Sequence, residues 1–405
     1  MTPTTLNIAT YEASWEYRVA WLLWFCSAVS LSFIQAIPTI PAAVFLCAVL
    51  LYCALFPLRA YQAVTWSFIP WAIVLFGALS VLWSLDPARS ARAAPQIAIT
   101  VLASIMFAQA LPARAFIAII MYAHLASVVA SFFVSGVFGA KNSFALQVAI
   151  TLMSSLWVLL DPQQPRYARL IGLLALLSTP PMLSAAGSEG ALLTGPLAIL
   201  ASIVLFLSRP LHPSARLSLF WLGFLALALT LSIALLSFDN PFDLLLSSIG
   251  KDSSLTGRTV LWSHAWSIIA DHPWGGVGLQ AFWVEGNSQA IRFWEMFYIN
   301  SHTGFHFHDL WLEIGVELGL IGILIAAGTT IVVLFSVWRW ALRDPRPESC
   351  FFVAFVTFVL LRTVGEVELF AQFGLMQMTF LAALYYAGHA QGGQRTPVMP
   401  IPQTC

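Results

Sequence analysis

The chain has 405 residues, 60% of them hydrophobic and only 9% charged, with a mean hydropathy of +0.85. Soluble domains carry roughly 25% charged residues, so an ordinary soluble protein is excluded and a polytopic membrane protein is indicated. Lysine plus arginine balance aspartate plus glutamate at 18 each, so no basic field points to nucleic acid. The five scattered cysteines, lacking CxxC or Cys/His spacing, give neither a disulfide framework nor a zinc site.

Residues 1–18 are polar and include Glu12, Glu16 and Arg18, unlike the basic start of a cleaved signal peptide, so the first apolar stretch is expected to be retained. A membrane-crossing helix needs about 20 apolar residues. Twelve candidate stretches lie near 19–38, 41–57, 64–85, 93–111, 115–135, 143–160, 168–187, 190–208, 215–237, 309–337, 349–369 and 372–389. Pro70, Pro180–Pro181 and Pro196 are expected to interrupt three of them. The expected fold class is therefore an all-α polytopic membrane protein, a single membrane domain over 1–405 with about 12 transmembrane helices. One large extracytoplasmic loop, 238–308, is expected to hold short amphipathic helices.

With a cytoplasmic N-terminus and twelve crossings, eleven of the eighteen cations fall inside and both termini are cytoplasmic. Arg89, Arg92, Lys141, Lys251, Arg258, Arg292 and Arg362 fall outside. A shared reason for cations there is an anion held at the outer face, which the 238–308 loop would cover from the periplasm.

That loop also carries His264, His272, His302, His306 and His308. Thr256 can cap a helix in which Trp262, Trp266 and Ile269 recur at spacings of four and three, and His272–Pro273 ends it. Gly275, Gly276 and Gly278 then allow tight turns. The stretch reads as a helix lying on the membrane surface with Arg258 in its first turn, where backbone N–H groups and the guanidinium can grip a phosphate. The plainer reading is a tryptophan-anchored interfacial helix with an incidental arginine, and no GxGxxG or GxxxxGK[ST] pattern decides between them.

Where the chain re-enters the membrane, His306 and His308 alternate, and Asp309, Glu313 and Glu317 follow on one helical stripe. An unpaired acid at membrane depth costs about 2.5 to 3.5 kcal/mol, so such residues face a cavity or a partner. A histidine at this boundary can take a proton from a hydroxyl as general base; the alternative is a helix cap with solvated histidines. HxH with nearby acids can also bind zinc, but without HExxH or Cys/His clustering neither a metal nor a cofactor is expected. WSLDPARSAR (83–92), GVFGAKNSF (136–144) and RTVGEVE (362–368) add smaller clusters on the same side. In the last, Arg362 and Glu366 stand four apart and are expected to pair.

In this order, TGRTVLW (256–262), PWGGVGLQAFW (273–283) and HDLWLEIGVELG (308–319) resemble the core of the O-antigen ligase superfamily, which includes O-antigen and exopolysaccharide polymerases. The three smaller clusters are similar to its flanking motifs, so the resemblance covers roughly residues 80–370. The leader DSSLTGRT is closer to the exopolysaccharide-polymerase branch. The resemblance implies a glycosyltransferase of the bacterial inner membrane, metal-independent, with a polyprenyl-diphosphate-linked saccharide as donor and a glycan or lipid-linked acceptor among membrane lipids. It implies that Arg258 binds the diphosphate and that His308 acts on or positions the acceptor hydroxyl, for inversion at the sugar. Lys141, Arg362 and Arg92 are expected to assist at the diphosphate, and His306, Asp309 and Glu317 to position the acceptor.

Three positions depart from the family pattern. Ala140–Lys141–Asn142 stands where His-Lys-Asn is frequent, and His308–Asp309 where His-Asn is common. Ser188–Glu189 stands where Ser is followed by Arg or Lys, placing a carboxylate where a second cation is expected. Two alternatives compete: a ligase transferring glycan to lipid A-core or another acceptor, and a precursor transporter or flippase. The latter should show internal repeats and midplane charges; no half-to-half similarity is visible.

Overall fold

The structure, a computed structural model, describes residues 14–134, 138, 140–237, 257–302 and 304–391. Glu12, Lys251, Thr256 and part of the GVFGAKN stretch lie outside the described residues. Among the described residues there are fifteen α-helices and no strand. The first six are α1 (Trp15–Leu31), α2 (Thr39–Leu55), α3 (Pro57–Thr65), α4 (Ile69–Leu79), α5 (Pro87–Ala110) and α6 (Ala113–Ala130). Four more run to the polar loop: α7 (Lys141–Leu160), α8 (Arg166–Ala185), α9 (Glu189–Leu207) and α10 (Pro213–Ser237). The loop holds α11 (Arg258–Asp271) and α12 (Ser288–Met296), and α13 (Leu310–Arg343), α14 (Pro347–Arg362) and α15 (Leu375–Gln391) complete the chain.

Each of the twelve apolar stretches carries a helix, and among the described residues six helices are long and apolar enough to cross a membrane. They become seven if α2 and α3, bent by 104°, count as one span. By length and composition the described helices thus give six or seven crossings, which does not confirm the number twelve. Short helices such as α14, whose 16 residues span about 24 Å at 1.5 Å each against a hydrocarbon core of about 30 Å, fall outside that count. The prolines do not interrupt as expected. Pro180 and Pro181 lie inside α8 and Pro196 inside α9, and in lipid a helix that keeps its remaining hydrogen bonds is favoured over exposed backbone. Pro70 sits in the first two residues of α4, where the missing N–H has no helical partner to lose.

Helix α14 is the centre of the bundle, packing on α7, α9 and α13, with Phe351, Phe352 and Phe355 fully buried. Helices α8 and α9 lie outside it, and Leu170, Leu174, Leu177, Leu193 and Leu200 are exposed, an apolar face suited to lipid rather than water.

The break that places the site is in α13 at Gly319, with φ 63° and ψ −164°. A break frees main-chain groups that burial would leave unsatisfied. The glycine-rich loop 273–278 meets them: Val277 N–H and Gly278 N–H donate to Val316 O and Glu317 O at 2.8 Å, and Leu320 N–H donates to Pro273 O at 2.7 Å. The same loop is stitched to the WSLDP turn. Leu85 N–H donates to Val277 O at 2.8 Å, Trp83 Nε1 to Gly275 O at 3.0 Å, and Ser90 Oγ to Leu279 O at 2.8 Å. Asp86, in that turn, caps α5 by accepting from Arg89 N–H at 2.9 Å.

The described part of the loop builds its own small core, in which Leu261, Ala265, Ile268 and Ile269 of α11 pack with Phe282, Phe293, Trp294, Phe307 and the first turns of α13. Ile269 of the expected recurrence lies in this core. Trp266 is exposed, and Trp262 is half-buried, its Nε1 donating to Phe307 O at 3.0 Å. Small Ala265 lets the helix approach its neighbours where a tryptophan would hold it off. Gly257 precedes α11 with φ 86° and provides no side-chain cap.

Candidate active site

Three elements meet at one end of the bundle: the start of α11, the strand-like approach to α13, and the turn after α14. Arg258, the first residue of α11, reaches Glu366 with an Nη2–Oε1 distance of 3.5 Å. His308 faces the other oxygen of the same carboxylate, Nδ1 to Oε2 at 3.9 Å. Asn142, in the first turn of α7, donates to Glu366 Oε1 at 2.5 Å. His306 stands beside His308, ring centroids 4.2 Å apart. Arg258, His306, His308 and Glu366 form one group.

His308 has φ 55°, a left-handed conformation that costs an ordinary residue about 1–3 kcal/mol and persists only where its surroundings impose it. Its surroundings do. His308 N–H donates to His306 Nδ1 at 3.0 Å, and Phe307 is fixed on both sides, its N–H on Glu313 Oε2 at 2.7 Å and its carbonyl under Trp262. Asp309 caps α13 by accepting from Trp311 N–H and Leu312 N–H at 2.9 Å, and Leu310 N–H donates to Thr363 O at 2.8 Å. Glu313 also accepts from Trp283 Nε1 at 3.0 Å, so this buried acid is partnered. Yet His308 Nδ1 is itself buried with no hydrogen-bond partner among the described residues. A buried polar atom left unsatisfied is costly and calls for an explanation.

Burial lowers the pKa of His308 to about 4, and the Arg258 guanidinium pushes the same way. His306 is lowered to about 3, by burial first and then by His308 and Arg258. Both imidazoles are therefore neutral near pH 7, the state that can accept a proton. Burial raises the pKa of Glu366, although Arg362, Arg258 and Asn142 oppose the shift. The three ligand atoms of His306, His308 and Glu366 lie within 4.8 Å of one another, close enough for a metal ion. A metal there would share its carboxylate with Arg258, 3.5 Å away, and would meet the repulsion of that guanidinium.

The other expected site residues are placed differently. Lys141 is exposed at the start of α7, next to Asn142, and Arg92 is exposed on α5, outside the direct contacts of the group. Arg362 does not pair as expected with Glu366. Glu366 N–H still donates to Arg362 O at 2.9 Å, but the two side chains form no ion pair among the described residues. Instead Arg362 donates to Glu368 Oε1 from Nε and Nη2 at 2.8 and 2.5 Å, both side chains being nearly inaccessible. Asp309 is a helix cap, and Glu317 accepts from the Gln280 backbone beside the Gly319 break. Glu189, at the start of α9, is half-buried. The part of Glu366 was missed in the sequence, although Gly365 directly before it signals that the helix has stopped. Arg362→Gln should destabilise the protein by about 3–5 kcal/mol, because breaking a buried pair strands the remaining charge; a thermal melt in detergent checks this.

Together these observations define a multi-pass membrane protein with a built polar site at one end of its bundle. Residues 171–327 match the family model described as O-antigen ligase. The chain is also 39% identical over 133 residues, 33% of this chain and 31% of the other, to the exopolysaccharide production protein ExoQ of Rhizobium meliloti (strain 1021). The aligned part spans about a third of that relative. Over residues 171–327, then, the chain is similar to the O-antigen ligase family, and over a third of its length to an exopolysaccharide production protein. The family match contains Arg258, His306 and His308, whereas Asn142 and Glu366 fall outside it.

Proposed function

We propose that the protein is a glycosyltransferase that polymerises a polyprenyl-diphosphate-linked saccharide at the periplasmic face of the bacterial inner membrane, with both termini cytoplasmic and the 238–308 loop over the site. The observation that carries this reading is the convergence of Arg258 and His308 on one carboxylate. The donor's anomeric carbon already bears a good leaving group, so the protein must stabilise departing charge, place an acceptor and accept one proton. Arg258 binds the diphosphate, and exposed Lys141, the residue before Asn142, supplies a second cation from the start of α7; Arg362, tied to Glu368, acts only at longer range.

His308 is the base. With Nδ1 protonated toward Glu366, its Nε2 takes the proton of the acceptor hydroxyl, and Glu366 stabilises the imidazolium that forms, the logic of a base oriented by a third group. The acceptor oxygen bonds to the anomeric carbon from the face opposite the diphosphate. The carbon–oxygen bond to phosphate breaks, and the polyprenyl diphosphate leaves with the electron pair, inverting the sugar. His306 accepts from the His308 backbone and so positions the ring rather than reacting; no metal takes part.

Likeness to an exopolysaccharide production protein favours polymerisation over ligation to lipid A-core. In a strain lacking the gene, the wild-type chain should restore long glycans on every carrier, whereas His308→Ala should insert normally and restore none. Long chains stranded on the lipid carrier in the deletion strain would indicate ligation instead. Wild-type glycans from His308→Ala would remove the base from the mechanism.

A further inference from the structure

Between α11 and α12, a groove of about 280 Å³ is lined by Ser263, His264, Ser267, Gln289, Arg292 and Phe293. None of these residues belongs to the Arg258–His308–Glu366 group. Ser263, His264 and Ser267 recur at helical spacings of one, three and four on the face of α11 opposite its buried stripe of Leu261, Ala265 and Ile268.

The lining has a definite chemistry. Two serine hydroxyls and one amide donate and accept, as ring hydroxyls require. His264 Nε2 lies 3.3 Å from Gln289 Oε1, and its ring stands edge-on to Phe293 at 4.9 Å, so the polar wall is held on an aromatic floor. The Arg292 guanidinium is exposed, with no carboxylate partner among the described residues. A lone planar guanidinium suits a single carboxylate, which it can grip with two hydrogen bonds. The volume falls below the roughly 300–1,000 Å³ of pockets that enclose a drug-sized ligand, which favours a small ring over a lipid chain. Its lining on α11 begins at the apolar Val260, two residues beyond Arg258 and so about 3 Å along the helix axis at 1.5 Å per residue. A glycan reacting beside Arg258 can therefore lay a neighbouring residue into it.

We propose that this groove is a subsite for a carboxylate-bearing sugar of the glycan being extended. Arg292 holds the carboxylate, while Gln289, His264 and the serines read the ring hydroxyls. The inference rests on the glycan-transfer reading above and adds a substrate class to it: acidic saccharides.

The test measures binding by full-length protein in lipid nanodiscs, using a tetrasaccharide of alternating glucose and glucuronic acid and its carboxyl-reduced neutral counterpart. The acidic probe should bind about tenfold more tightly, the size of effect expected for a hydrogen-bonded charge. Arg292→Gln should erase the preference and Arg292→Lys should keep part of it. Arg292 is exposed, so neither change touches the loop core. Equal affinities in the wild type, an undiminished preference in Arg292→Gln, or no binding of either probe would overturn the subsite. Loss of transfer with every donor, alongside an Arg292-dependent preference, would instead overturn the polymerase reading and leave the subsite standing. Transfer without any preference would do the reverse.

Discussion

Arg258→Ala should reduce glycan transfer by about 10²–10³-fold, the usual consequence of removing one group that stabilises developing charge. Two effects add. The diphosphate loses its principal cation, and Glu366 loses the guanidinium 3.5 Å from its Oε1, leaving a carboxylate held by Asn142 whose charge repels the donor. Arg258→Lys should recover only part of the rate, because an ammonium supplies the charge without the planar fork. Initial rates with purified protein and a lipid-linked oligosaccharide measure both variants. A rate within twofold of wild type for the alanine variant would show that the leaving group is held elsewhere.

Gly276→Ala should have the second large effect, on stability rather than chemistry. Gly276 has φ 62°, and a methyl group there would press into the backbone of Val316, Glu317 and Leu318 well inside van der Waals contact. Backbone cannot swing aside as a flexible side chain can. The loop would have to withdraw from the Gly319 break, and its hydrogen bonds to Val316 O, Glu317 O and Leu320 N–H would go with it. Left-handed strain alone costs about 1–3 kcal/mol, and two or three stranded buried groups add about 1–3 kcal/mol each. The detergent-solubilised variant should melt far below the wild type or fail to accumulate. Gly286→Ala, at a position with nothing within 4 Å, is the control and should melt normally. Matching melts for the two variants would refute the role assigned to the loop.

Much of this architecture is legible in the sequence because lipid imposes one simple rule: long apolar stretches become helices, since nothing else satisfies their backbone. Every one of the twelve stretches follows it. Arg258 and His308 are legible for a different reason, being polar side chains concentrated in the one extended hydrophilic segment. Periodicity alone leaves other features unread. It pairs Arg362 with Glu366, whereas Arg362 is tied to Glu368. It finds Ile269 of the packed face of α11 but not Leu261, Ala265 and Ile268. Nor does it mark Gly319 as a break, because a glycine costs a helix only about 1 kcal/mol. The loop that fills the break lies some forty residues earlier, and no local pattern connects the two. The prolines mislead in the same way, their effect depending on where each helix starts.

The most direct measurement is incubation of purified protein in lipid nanodiscs with a polyprenyl-diphosphate oligosaccharide, followed by mass spectrometry of glycan and lipid. The account predicts longer glycans joined by new glycosidic bonds, released polyprenyl diphosphate in equal number, and neither product with Arg258→Ala or His308→Ala. Movement of the lipid-linked saccharide across the bilayer with every glycosidic and phosphate bond intact would contradict it.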